Sequence, residues 1–203
     1  MEVSLFKHIV YIHGYTGEFG HNPNSTKIQK LREYANTNGY TLHTPHYPDH
    51  DPEQAHKFLT DYVSKVKAKD PHAVLVGTSM GGYWAHRLSN EHKLPSVIVN
   101  PAIEPHKTLA RHVEAGRITP KAFANYKKFN DEHTSHSTVH EPRIVLLEKG
   151  DTVINPEKTA KAYKGHADVR MFPDGNHQFT RHNEIHNALS DIQNTVVEHM
   201  NHA

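Results

Sequence analysis

The sequence predicts an α/β fold: a mostly parallel sheet of about six strands with helices on both faces and a short helical insertion. Three features carry this expectation. Short apolar runs without in-and-out alternation recur along the chain, Gly, Asn or Pro follows closely on each, and amphipathic stretches of helical period lie between them. An unalternating apolar run suits a strand buried on both faces, which is how strands sit in a parallel sheet.

The four richest runs are Ile9 to Ile12, Ala73 to Val76, Val97 to Val99 and Ile144 to Leu147. Thr41 to Thr44 and Val169 to Phe172 carry fewer apolar residues and complete the six strands. Helices are expected over Thr26 to Thr37, Pro52 to Ala68, Gly82 to Asn90, Pro156 to Tyr163 and Glu184 to Met200. In the second of these, Ala55, Phe58, Leu59, Tyr62, Val63 and Val66 recur at three- and four-residue steps, so they share one helix face. Strands alternating with helices argue a doubly wound sheet whose right-handed crossovers cover both faces.

One segment breaks the rhythm. From Pro105 to Pro142 no strand-like run occurs, and short helices are expected at Lys107 to Ala115 and Pro120 to Phe129, the latter opened by a Thr119-Pro120 cap. This stretch, residues 105–142, reads as an insertion over the strand ends that caps a pocket. No repeat, linker or low-complexity tract divides the chain, so a single domain over residues 1–203 is expected.

Charge and composition exclude several classes of function. Lys and Arg total 23 against 22 Asp and Glu, without blocks of one sign, which removes the electrostatic footprint of a nucleic-acid or anionic-membrane binder. Cysteine is absent, so disulfides, thiol catalysis and Cys-ligated zinc are excluded together. No run of about 18 apolar residues offers a spanning helix, and no basic segment followed by an apolar stretch opens the chain, so a soluble cytoplasmic protein is expected. The 21 histidines are the unusual feature and make the surface charge sensitive to mild acid.

The chemistry centres on Ala73-Val-Leu-Val-Gly77-Thr78-Ser79-Met80-Gly81-Gly82, which reads as strand, sharp turn and helix. A serine on such a crowded turn needs small residues two places before and after it, and Gly77 and Gly81 supply them. Ser79 is then a nucleophile lifted above the strand end. Gly150-Asp151 follows a later strand and puts Asp151 at the same sheet edge as the acid, with Glu148, at the strand's end, as its competitor. His177, in Gly175-Asn176-His177-Gln178-Phe179 after the last strand, is the base, and His182 its distant alternative. The order Ser, Asp, His is that of the α/β-hydrolases. His13-Gly14-Tyr15, after the first strand, offers the Tyr15 amide, with Gly14 allowing the turn; together with the Met80 amide at a helix N-terminus it would form the oxyanion hole.

The chain resembles the small YqiA-type bacterial esterases within the α/β-hydrolases. The resemblance rests on Tyr11-Ile12-His13-Gly14, Ser79-Met80-Gly81-Gly82-Tyr83, Asn100-Pro101-Ala102, Gly150-Asp151 and Gly175-Asn176-His177-Gln178-Phe179, in order along nearly the whole chain. It implies a compact parallel sheet, a triad of Ser79, Asp151 and His177, and esterase or thioesterase activity on acyl substrates; a serine–histidine acyl transfer needs no metal or cofactor, and none is expected. The chain departs from the family pattern at Thr16 to Asn24, where Gly17, Gly20 and a His21-Asn22-Pro23-Asn24 turn lengthen the loop beside the oxyanion hole, so substrate choice is not carried over.

Two other readings stand beside this one. A hydrolase-like binding or regulatory module would keep the fold without turnover, and the same fold could act on peptides, lactones or carbon–carbon bonds. Elsewhere, His182 and His186 fall four apart on a helix, but Glu184 is misplaced for the zinc-protease pattern and no third ligand is indicated. The pairs His43/His46, His133/His136 and His199/His202 read as surface residues, and Tyr83 and Trp84 as helix packing.

Overall fold

The architecture comes from a computed structural model, which describes residues 6–17, 20–116, 118–132 and 141–201. The pairs His133/His136 and His199/His202 therefore fall wholly or partly outside the described residues. Among the described residues six strands form one sheet: β1 His8–Ile12, β2 Thr41–His43, β3 Val74–Thr78, β4 Ser96–Val99, β5 Arg143–Glu148 and β6 Asp168–Phe172. Among the described residues seven helices join and cover them: α1 Thr26–Asn38, α2 Pro52–Lys69, α3 Met80–His92, α4 Pro105–Glu114, α5 Pro120–Glu132, α6 Pro156–Tyr163 and α7 His182–Asn201.

The strand order is β2-β1-β3-β4-β5-β6 and every neighbouring pair is parallel. All carboxyl ends consequently meet at one edge. The winding reverses between β1 and β3, and in open α/β sheets a ligand crevice forms where it does so. The loops after β1 and β3, which carry Gly14 and Ser79, flank that reversal.

Within each strand, successive side chains go to opposite layers. Ile9, Tyr11, Val74, Val76, Val97 and Val99 pack against α1 and α7, through Ile28, Leu31, Ile185 and Leu189. Val10, Ile12, Leu75, Ile98, Val145 and Leu147 pack on the other face against α2 and α3, through Leu59, Val63, Trp84 and Leu88. Both faces are therefore dry, as the unalternating runs require. Burying each such aliphatic side chain stabilises by about 1.5–3 kcal/mol.

Local chemistry sets the helix starts. Asp51 caps α2 by accepting from the Glu53 and Gln54 amides, with Pro52 at the first helical position, and Asn155 caps α6 ahead of Pro156. The Thr119 hydroxyl accepts from the Ala122 amide at 3.2 Å, opening α5 as the sequence suggests.

The 105–142 insertion divides into two roles. Thr108, Leu109 and His112 of α4 line the cavity that also holds Ser79 and His177. Helix α5 instead belongs to the core layer: Tyr126 is fully buried and its hydroxyl donates to the Asp49 carbonyl at 2.7 Å, while Phe129 packs 5.6 Å from Trp84. The amphipathic sequence could not say which surface α5 would cover. Among the described residues no helix is long and apolar enough to cross a membrane.

Candidate active site

Ser79 sits between β3 and α3 with φ 54° and ψ −118°, a conformation that costs a non-glycine residue energy and persists only where its surroundings enforce it. Here they do. The Ser79 amide donates to the Val99 carbonyl at 3.0 Å, and its own carbonyl accepts from Gly82, Tyr83 and Ala102. Gly77 and Gly81 are obligatory for the reason read from the motif. A Cβ on Gly77 would run into the Gly81 carbonyl, and one on Gly81 into the carbonyl oxygens of Ile12 and His13.

The structure brings Ser79, His177 and Asp151 into one hydrogen-bonded chain. His177 Nε2 lies 2.8 Å from Ser79 Oγ, and His177 Nδ1 lies 2.7 Å from Asp151 Oδ2. Asp151 Oδ1 accepts from the Val153 and Ile154 amides at 2.7 and 3.0 Å. Burial pushes the Asp151 carboxyl up, but the hydrogen bonds from His177, Ile154 and Val153 outweigh it and hold the group below its ordinary value. An ionised carboxylate only accepts, so the proton shared with His177 belongs on Nδ1, and Nε2 is left to accept from the Ser79 hydroxyl.

Glu148, the competing acid, faces a different task. It is buried at the end of β5, where Oε2 accepts from the Asn176 amide at 2.5 Å and Oε1 from Arg181 Nε at 3.1 Å. Gly175, at φ 72°, passes so close over this carboxylate that a Cβ there would overlap it. Asn100 braces the same loop from β4: its Nδ2 donates to the carbonyls of Asn176 and His177 at 3.2 and 3.4 Å, while its Oδ1 accepts from the Glu148 amide at 3.1 Å. Both residues hold the backbone that presents His177. The sequence placed Asn100 only within the resemblance, and nothing local announced its contacts.

The loop after β1 is pinned equally firmly. His13 Nδ1 donates to the Gly14 carbonyl at 2.7 Å, Tyr47 donates to the His13 carbonyl at 3.0 Å, and Asp49 Oδ2 accepts from the Thr16 amide and hydroxyl at 2.6 and 2.7 Å. A Cβ on Gly14 would lie 3.4 Å from Ser79 Cβ, so this loop passes directly beside the serine. Gly14, Tyr15, Ser79, Met80 and His177 all line one cavity of about 910 Å³.

Histidines do more here than the sequence conveyed. His13 is only 5% exposed, stacked 4.5 Å from both His21 and Tyr47, and burial pushes its imidazole down to about 4. His46 is exposed, but His43, read as a surface residue, is half-buried and shares hydrogen bonds with His8 at 2.8 Å and Tyr62 at 3.1 Å. Adjacent parallel strands put His8 and His43 within reach, which their separation in sequence concealed. His182 lines the cavity at the start of α7 while His177 holds the serine, and His186 stacks on Tyr34 at 4.6 Å. Trp84 is fully buried in the helix layer, as read.

A strained serine between strand and helix, at the winding reversal of an all-parallel sheet, defines an α/β-hydrolase fold. Solved structures agree: mouse alpha/beta hydrolase domain-containing protein 10 superposes with a TM-score of 0.74 at 17% identity, over 94% of this chain and 90% of that one. Est1E of Butyrivibrio proteoclasticus gives 0.72 at 16% identity over 98% and 90%, and the Pyrococcus furiosus esterase Pf2001 gives 0.68 at 19% over 93% and 80%. Residues 8–194 match the model of UPF0227, described as an uncharacterised protein family, and the chain belongs to that family. A UPF0227 protein of Vibrio parahaemolyticus is 24% identical over 92% of this chain and 99% of its own length, and one of Shewanella sp. is 25% identical over 84% and 90%.

Proposed function

We propose that this protein is a serine hydrolase that cleaves small carboxylic esters or acyl thioesters through Ser79, His177 and Asp151. The observation that carries the proposal is the unbroken Ser79–His177–Asp151 hydrogen-bond chain, at 2.8 and 2.7 Å, on a strained turn that opens into a cavity. The esterases among its structural neighbours support the same reading.

As Ser79 Oγ bonds to the acyl carbon, its proton passes to His177 Nε2 and the carbonyl electrons move to oxygen. The Met80 amide, in the first turn of α3, has no intrahelical acceptor and is one donor to that oxyanion. The Tyr15 amide is the second: the Gly14 carbonyl is turned toward His13, and across a trans peptide the next N–H points the opposite way. Collapse breaks the bond to the leaving group, which takes the proton from Nε2. Water then repeats the sequence on the acyl-enzyme, and Asp151 stabilises the imidazolium each time. No step in this scheme requires a metal or cofactor.

The test is a fluorophosphonate probe together with a panel of acyl esters and thioesters. Wild type should label at Ser79 and turn over, while Ser79→Ala should do neither and keep a wild-type circular dichroism spectrum. Turnover by Ser79→Ala within a few-fold of wild type would sink the assignment, and folded wild type that neither labels nor turns over would favour a binding module.

A further inference from the structure

Two parts of the cavity lining differ in chemistry. At one, α4 meets the β1 loop, with the His112 ring 5.5 Å from Tyr15 and Leu109 and Met80 also in the lining. At the other, Lys27 of α1 reaches across to the loop that carries His177, and its Nζ donates to the Gln178 carbonyl at 2.6 Å. Thr180 and His182 continue that wall.

Lys27 is the only Lys or Arg of the cavity lining among the described residues, and no Asp or Glu lines it. An ammonium has three donors, and one carbonyl occupies one of them. Among the described residues, no carboxylate stands within ion-pair distance of Lys27. The acid whose field reaches it, Glu148, is held by the Asn176 amide and Arg181. Burial pushes the Lys27 ammonium down to about 8, against the pull of Glu148, as happens to a cation short of counter-charge. His13, His21, His112 and His182, the other titratable groups of the lining besides His177 and the two tyrosines, are cationic or neutral at any pH.

His177 Nε2 must return its proton to the departing oxygen or sulfur, so the leaving group lies on the His177 side of Ser79, the part of the lining to which Gln178 and Lys27 belong. We propose that Lys27 selects substrates whose leaving group bears a carboxylate or phosphate, and binds that anion. This rests on the Ser79–His177 reading above. During the step, the acyl carbon exchanges its bond to the leaving oxygen for one to Ser79 Oγ, and the anion keeps its charge throughout.

The experiment compares 4-acetoxybenzoate and 4-acetoxyphenyl phosphate with neutral methyl 4-acetoxybenzoate. Each kcat/KM is divided by that ester's own hydroxide-catalysed rate, in wild type, Lys27→Met and Lys27→Arg. Wild type should favour at least one anionic ester by on the order of ten- to hundred-fold, the range of a charge-assisted hydrogen bond. The ratio should collapse toward one in Lys27→Met and survive in part in Lys27→Arg. Because Lys27 also braces Gln178, the ratio is the readout and not the absolute rate. Should Lys27→Met fail to fold, salt titration of wild type replaces it: the preference should shrink as ionic strength screens the ammonium. A wild-type ratio near one, with Ser79 still labelled and the neutral ester turned over, overturns the Lys27 assignment and leaves the hydrolase standing. A ratio that survives in folded Lys27→Met, or that ignores salt, overturns it as well. Absence of labelling and of all turnover removes the hydrolase reading itself.

Discussion

Mild acid should destabilise this protein through His13. The imidazole is buried, its Nδ1 is committed to the Gly14 carbonyl, and its Nε2 has no hydrogen-bond partner among the described residues, so a second proton there would be stranded. Folding lowers the group from an ordinary 6.5 to about 4, with burial the main cause and neighbouring His21 adding to it. Between those values the unfolded chain binds a proton that the folded chain refuses. Stability is therefore full above the upper value and falls as pH drops through the window. At about pH 5 the loss is about 2 kcal/mol, taking ~1.4 kcal/mol per pH unit. The assay is urea unfolding at about pH 7 and 5 for wild type and His13→Asn, whose amide can still donate to the Gly14 carbonyl but cannot titrate. The difference between the two pH values should be smaller in the variant by about 2 kcal/mol, the remaining histidines contributing equally to both proteins. Equal pH dependence in the two would refute the argument.

Asp151→Asn should lower kcat by on the order of 10⁴, the effect known for the template triad, because the amide favours the wrong His177 tautomer. Glu148→Gln should act on stability, since Gln keeps one acceptor for two donors; a loss of about 1.5–3 kcal/mol in unfolding is expected, with a kcat effect far below that of Asp151→Asn. The reverse ranking in steady-state kinetics would exchange the two roles. Gly81→Ala should destabilise by about 1–3 kcal/mol or more, as the new methyl is driven into the Ile12 and His13 carbonyls, and a thermal midpoint equal to wild type would contradict the packing.

The four inner strands, β1, β3, β4 and β5, were legible because parallel strands are dry on both faces, so their runs stand out without any knowledge of partners, while the partly exposed edge strands β2 and β6 left weaker runs. The elbow was legible for a similar reason. Gly77, Ser79 and Gly81 meet their constraint within five residues, and a local requirement leaves a local mark. Helix α3 already begins at Met80, two residues before the segment read from periodicity, since the glycines dilute the apolar pattern exactly where the turn needs them.

What the sequence by itself determined is thus the set of elements, the turn under Ser79 and the chain order of Ser79, Asp151 and His177. The tertiary structure decided the rest, because those contacts join groups that no short-range rule relates. Glu148 braces the His177 loop because β5 ends beneath Gly175 and Asn176. Asn100 and Asp49 acquired their partners only when β4 met the His177 loop and the segment after β2 met Thr16. Lys27 faces a carbonyl 151 positions away, and in one dimension it is an ordinary surface lysine of an amphipathic helix. Sheet order brings these pairs together, and sheet order is set by how all the strands bury their faces at once, a condition that no single segment of the chain expresses.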